Sequence, residues 1–177
     1  AIDNNIAVVG ITDYFSIENY KKILLYIQNL DSNSLFNVEE KEQIRQITLI
    51  PNVELRMLPS TREGRLINIH CLFNPEYVDK LDDDFFGTIQ FASGIRSHKM
   101  NRNGFKNLGY ELGETNDENA YRKGLENYVV SHKELQNLFD NNSELRDNTV
   151  IVVCNKSKDG VSGIQSQHFD LFEGKQN

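Results

Sequence analysis

Leu49 to Phe73 has the sequence LIPNVELRMLPSTREGRLINIHCLF. It consists of two extended, apolar-rich segments joined by a polar turn over Ser60 to Gly64, where turn-forming residues cluster. Pro51 and Pro59 punctuate the first segment. In the second, Leu66, Asn68 and His70 alternate with Ile67, Ile69 and Cys71. That period of two marks a strand and places His70 on the same face as Asn68. Glu54 near one end and His70 near the other are a carboxylate and an imidazole in apolar runs. They are the first candidates for chemistry. Taken alone, Glu54 also reads as the partner of Arg56 or Arg65, and His70 as a hydrogen-bonded core histidine.

Upstream, Ile6 to Thr12 (IAVVGIT) is short, apolar and β-branched, which predicts a buried parallel strand. Asp13 and Tyr14 follow at its C-terminal end, the edge where α/β folds carry their ligands. Ser16 then fits an N-cap, and the 3- and 4-residue spacing of Ile17, Tyr20, Ile23, Leu24, Ile27 and Leu30 predicts an amphipathic helix. Asp13 serves equally as a cap for that helix. Asn37 caps a shorter polar helix over Val38 to Arg45.

Downstream, Asn74-Pro75 opens a helix that runs to about Leu81 and closes on Asp82 to Asp84, a solvated acidic end. Phe85 to Arg102 reads as a loop, locally basic through Arg96, His98, Lys99 and Arg102, either solvated or facing phosphate. A short helix with Phe105, Leu108 and Leu112 follows. Thr115 with Glu118 and Ser131 with Glu134 fit capping boxes, predicting helices over 116–128 and 132–139. Thr149 to Cys154 (TVIVVC) reads as a second buried strand, and KSKDGVSGIQ after it as a glycine-containing loop without P-loop spacing. His98 and His168 lie in polar surroundings and read as exposed. Strands alternating with helices give the α/β class, with one antiparallel hairpin inside.

At 177 residues the chain is most simply one domain, 1–177, large enough for a hydrophobic core. A net charge of −7 does not support wholesale nucleic-acid binding through a basic surface, and leaves room only for a local basic patch. Cys71 and Cys154 sit in apolar runs and read as buried free thiols, and without a disulfide framework a reducing cytoplasm is implied. No apolar run approaches the ~20 residues that span a bilayer. AIDNNIAVVG has no basic leader region and no initiator Met, so the chain reads as a piece of something longer.

Three phrases, in order, resemble the PHP domain family of polymerase and histidinol phosphatase proteins. GITDYFSIENY resembles the segment in which a strand ends in Thr-Asp-His, IPNVELR resembles Ile-Pro-Gly-Val-Glu, and INIHCLFN resembles the next strand with its His. The likeness spans roughly 1–74. Beyond it, VVCNKSKDGVSGIQ is similar to the PHP-like region of large bacterial ATPases of DNA-repair type. The resemblance implies a PHP-like distorted β/α barrel, incomplete in this chain. It also implies two or three divalent metal ions (manganese, zinc or iron) that activate water against a phosphoester or nucleic-acid substrate.

Carried over by position, Glu54 matches the metal-bridging Glu, His70 a metal-ligating His, and Asp13 the Asp that would orient a ligand or water. Tyr14 stands where a ligand His is expected, and reads as packing into the space that His would leave. An opening His-x-His is not in the chain, and Gln167-His168-Phe169-Asp170 does not match the closing Asp-x-His. The expectation is a metal-dependent phosphoesterase domain with an ATPase module in the same longer chain, its ligand set depleted. The alternative is a catalytically inactive regulatory or interaction module of that larger protein.

Overall fold

The computed structural model describes residues 6–60, 66–93 and 96–153. The predicted turn at Ser60 to Gly64 lies largely outside them, as do Arg65, Cys154, the glycine-containing loop and His168.

The central strand is β2 (Thr48–Leu58), whose burial alternates from Ile50 onward. Pro51, Val53, Leu55 and Met57 are buried, while Asn52, Glu54 and Arg56 are half-buried on the opposite face. β1 (Val8–Tyr14) runs parallel to its first half, pairing Val8 with Thr48 through Tyr14 with Glu54. β3 (Ile67–Phe73) returns antiparallel, pairing Asn52 with Leu72 and Met57 with Ile67. β6 (Val130–Ser131) extends the line of β1 along the end of β2, and β7 (Thr149–Val153) lies antiparallel on β3. The order β1-β2-β3-β7, with β6 on β2, makes a mixed five-stranded sheet. The α/β class with an internal antiparallel pair therefore holds. The described strands form an open sheet.

One face of this sheet carries the core. Val53, Leu55, Ile67, Ile69, Cys71 and Phe73 pack there against Phe15, Tyr77, Leu81, Phe85, Phe105 and Tyr128 from helices and connections. Burying each large apolar side chain contributes about 1.5–3 kcal/mol. The aromatic contacts are tight: Phe73 and Phe85 centroids lie 4.9 Å apart, and Phe105 and Tyr128 5.0 Å apart. Burial pushes the Cys71 thiol up to about 12, so it stays protonated.

The helices follow their signals with instructive shifts. α1 covers Glu18–Gln28, but Ser16 is not its N-cap: Ile17 holds that position, and the Asp13 carboxylate accepts the Asn19 amide at 2.6 Å instead. α2 (Val38–Arg45) begins with the predicted Asn37 cap, completed into a capping box by Glu40. After Asn74 the chain makes a 3₁₀ segment, Pro75–Lys80, and then a wide π turn, Asp82–Phe86, rather than one helix ending at Leu81. The wide turn lets the adjacent Phe85 and Phe86 both enter the core.

The stretch expected as a loop contains a hairpin, β4 (Gln90–Ser93) and β5 (Arg96–Lys99). His98 is not exposed. The Phe91–His98 pairing turns it inward, where its Nε2 lies 2.9 Å from a Glu111 carboxylate oxygen. That contact holds the Glu111 carboxyl below the usual range. α3 spans Arg102–Glu111 and α4 Asp117–Asn127, the latter capped by Asn116 and not Thr115, since Asn116 accepts the Asn119 amide at 2.9 Å. α5 (His132–Asn141) starts on the Ser131 cap as predicted, and α6 spans Ser143–Asp147.

β7 departs from expectation. Its apolar run predicts burial on both faces, yet Val150, Ile151, Val152 and Val153 are all exposed, because β7 ends the described sheet order.

Helices α3 and α4 approach to backbone contact through glycine. A Cβ on Gly124 would lie 1.7 Å from the Phe105 carbonyl oxygen, and one on Gly109 1.9 Å from that of Ala120. Gly124→Ala gains up to about 1 kcal/mol of helix propensity. The clash outweighs it, and we expect a net loss of about 2 kcal/mol or more in urea unfolding. Lys123→Ala, on the exposed side of the same helix, leaves the midpoint unchanged.

Candidate functional site

The register places Tyr14, Glu54, His70 and Val152 on one rung across four strands. Residues directly opposite in adjacent strands share a face, with Cβ atoms about 5 Å apart. Glu54 and His70 are therefore immediate neighbours on the half-buried face. The alternation in the sequence has done this: Asn52, Glu54 and Arg56 point one way, while Val53 and Leu55 point into the core.

A network of amides holds the pair. Asn68 donates to Glu54 Oε1 at 2.9 Å. Asn52 donates its Nδ2 to Thr12 Oγ1 at 2.7 Å, and its carbonyl oxygen lies 3.1 Å from His70 Nδ1. A carbonyl can only accept, so this contact requires the proton on Nδ1. In the neutral ring Nε2 is then the basic nitrogen. This is the arrangement by which an outer partner fixes the tautomer of a metal-binding histidine.

Arg56 is not the partner of Glu54. Its guanidinium donates to the Leu125 and Glu126 carbonyls at the C-terminal end of α4, where a cation complements the helix dipole. It lies 5.5 Å from the Tyr14 ring centroid and 5.3 Å from that of Phe15. Burial lowers its pKa, with Tyr14, Glu126 and Glu54 acting in the opposite direction. Its Nε is buried without a hydrogen bond. Arg56 thus ties α4 to the strand bearing Glu54. Tyr14 does not fill a pocket: it is 48% exposed at the end of the rung.

The chain matches no family model, no curated protein and no solved structure.

Asp13 is not brought to the rung. It pairs with Val53, on the covered side of the sheet, and both its oxygens engage Asn19 in the first turn of α1. Among the described residues no group of three or more His, Cys, Asp or Glu side chains is placed to hold a metal ion. Glu54 and His70 are suitable donors for a divalent ion, but two donors fall short of the four that a tetrahedral centre requires. No hydrolytic step follows from them alone.

Asn52, Asn68 and Arg56 are the members of this network that a search for ligand-type residues passes over. Their signal was present in the two-residue alternation of β2 and β3.

The tautomer can be tested directly. In nitrogen NMR of the neutral His70 ring, the proton is expected on Nδ1, and Asn52→Leu should remove that preference. A ring protonated on Nε2 in the unaltered protein would contradict the amide relay.

Proposed function

We propose that this chain is a PHP-like domain carrying part of a divalent-metal phosphoesterase site, with Glu54 and His70 as two of its ligands. One observation supports it most: the two residues singled out by the resemblance are direct cross-strand partners. The Asn52 contact, which leaves His70 Nε2 basic, adds to it. An open sheet covered on one side only also suits a segment of barrel wall, whose inner face would carry the rung. When bound, the metal would supply charge neutralisation and an activated water. This chain's residues would hold one side of it, with Tyr14 at the end of the rung. The ATPase module, and the choice between a phosphoester and a nucleic-acid substrate, rest on the resemblance alone. No helix among the described residues is long and apolar enough to cross a membrane.

The second reading is a catalytically inactive regulatory or interaction module. The placement of Asp13 favours it, since that carboxylate serves α1 and not the rung.

Metal titration separates the two. Manganese followed by electron paramagnetic resonance should show one weakly held ion per chain. His70→Ala should abolish it, and Asn52→Leu should weaken it about tenfold, as loss of an outer-shell partner does. Absence of uptake at millimolar metal, with the fold intact, would remove the phosphoesterase reading for this chain and leave the module.

A further inference from the structure

A cleft of about 670 Å³ opens at the C-terminal end of β1, between the start of α1 and the α3–α4 pair. That is the size of a small organic ligand's pocket and far larger than one inorganic ion requires. Its floor is apolar: Phe86, Met100 and Phe105 line it and are nearly wholly buried. Its mouth carries two cations, Lys22 and Arg102.

The charges there are unequally engaged. Asp13 is satisfied by Asn19, and Asp82 is paired with Lys21 at 3.1 Å. Glu18 is the third carboxylate of the lining. No ion pair closer than 4 Å involves Lys22 or Arg102 among the described residues. The Asp117 carboxyl is lowered by its bonds to Lys106 and Tyr110, and Arg102 adds to this only through space. Arg102 is nevertheless held in place, because its guanidinium carbon sits 4.6 Å from the Tyr121 ring centroid. Stacking on an aromatic face orients the planar fork and leaves its N–H edge available. A positioned guanidinium with no carboxylate hydrogen-bonded to it, Asp117 being held by Lys106 and Tyr110, is suited to a two-point contact with phosphate or carboxylate.

We propose that this cleft binds a small ring-bearing organic anion, with the anionic group on Arg102 and Lys22 and the ring over the Phe86–Phe105 floor. The site is separate from the Glu54–His70 pair and needs no metal. Its occupant is a mononucleotide or an aryl carboxylate, which share this chemistry.

The test uses isothermal titration and amide NMR on the full chain without added metal, with three probes: adenosine monophosphate, phenylpropionate and inorganic phosphate. One of the two ring-bearing anions should bind one-to-one, with shifts confined to residues around Arg102, Tyr121 and Lys22. Whichever binds identifies the class. Arg102→Ala should weaken it about tenfold or more, the scale of a hydrogen bond to a charged group. Arg102→Lys, which keeps the charge but not the planar fork, should restore little. Both substitutions are at an exposed position, so the circular dichroism spectrum should not change. His70→Ala should bind as the unaltered chain does, which separates this outcome from failure of the metal site. The proposal is overturned if neither ring-bearing anion binds at millimolar concentration. It is equally overturned if inorganic phosphate binds as tightly, or if Arg102→Ala has no effect.

Discussion

The register between β2 and β3 governs the rest of the molecule. Val53 opposite Cys71 and Leu55 opposite Ile69 place the buried apolar side chains of both strands on the covered face. Glu54 opposite His70 is the other consequence of that same register. A slip of one residue would send the polar set into the aromatic core and the apolar set to the open face. Burial of several side chains, each worth about 1.5–3 kcal/mol, resists such a slip. The candidate site is thus specified by the core beneath it. Its own hydrogen bonds, about 1 kcal/mol each, refine the side-chain positions and do not set the strand pairing.

From this pairing the helices take their places. Phe15, with φ of 54°, turns the chain sharply after β1 and drops its ring beside Tyr128 and Phe105. Its amide is anchored to the Glu54 carbonyl at 3.2 Å. A bulky residue held in the left-handed region costs about 1–3 kcal/mol, and persists only where the surroundings fix it. Here the aromatic cluster and the pairing of β1 with β2 fix it. The turn also sends Asp13 to α1 while Tyr14 stays on the rung, so adjacent residues serve different parts of the structure. Arg56 closes the arrangement from the other side by holding the end of α4.

Elements with a local signal were legible in the sequence. The alternation of β2 and β3, the Asn37 and Ser131 caps, and the neighbourhood of Glu54 and His70 all follow from short-range patterns. At α1 the local signal offered both Ser16 and Asp13, and the structure takes Asp13, whose carboxylate lies 2.6 Å from an amide six residues on. Elements decided by partners far along the chain were not legible. His98 is polar by type but buried by the hairpin, with Glu111, thirteen residues later, supplying its partner. In β7 the composition suggested an interior strand, whereas exposure depends on what lies beside it. The cleft was not legible at all, since its walls come from β1, α1, α3 and α4.

The sheet end that carries Tyr14 brings two different chemistries close together. On the rung, oxygen and nitrogen donors are oriented by neutral amides, an environment that leaves Glu54 and His70 able to share a cation. In the cleft, Asp13 and Asp82 are engaged while Lys22 and Arg102 have no carboxylate hydrogen-bonded to them, an environment that favours an anion. Tyr14 belongs to both, as the outer member of the rung and a wall of the cleft. A bound cation and a bound organic anion at these positions would attract each other across the Tyr14 side chain, and the attraction would be strongest where solvent is excluded. Each ligand would then strengthen the binding of the other by the same factor. Arg56, stacked near Tyr14 and tied to α4, is a fixed charge of the protein itself on the rung side of Tyr14. It would oppose a metal at Glu54 and favour an anion nearby, each independently of the other; coupling between the sites would arise only when both are filled.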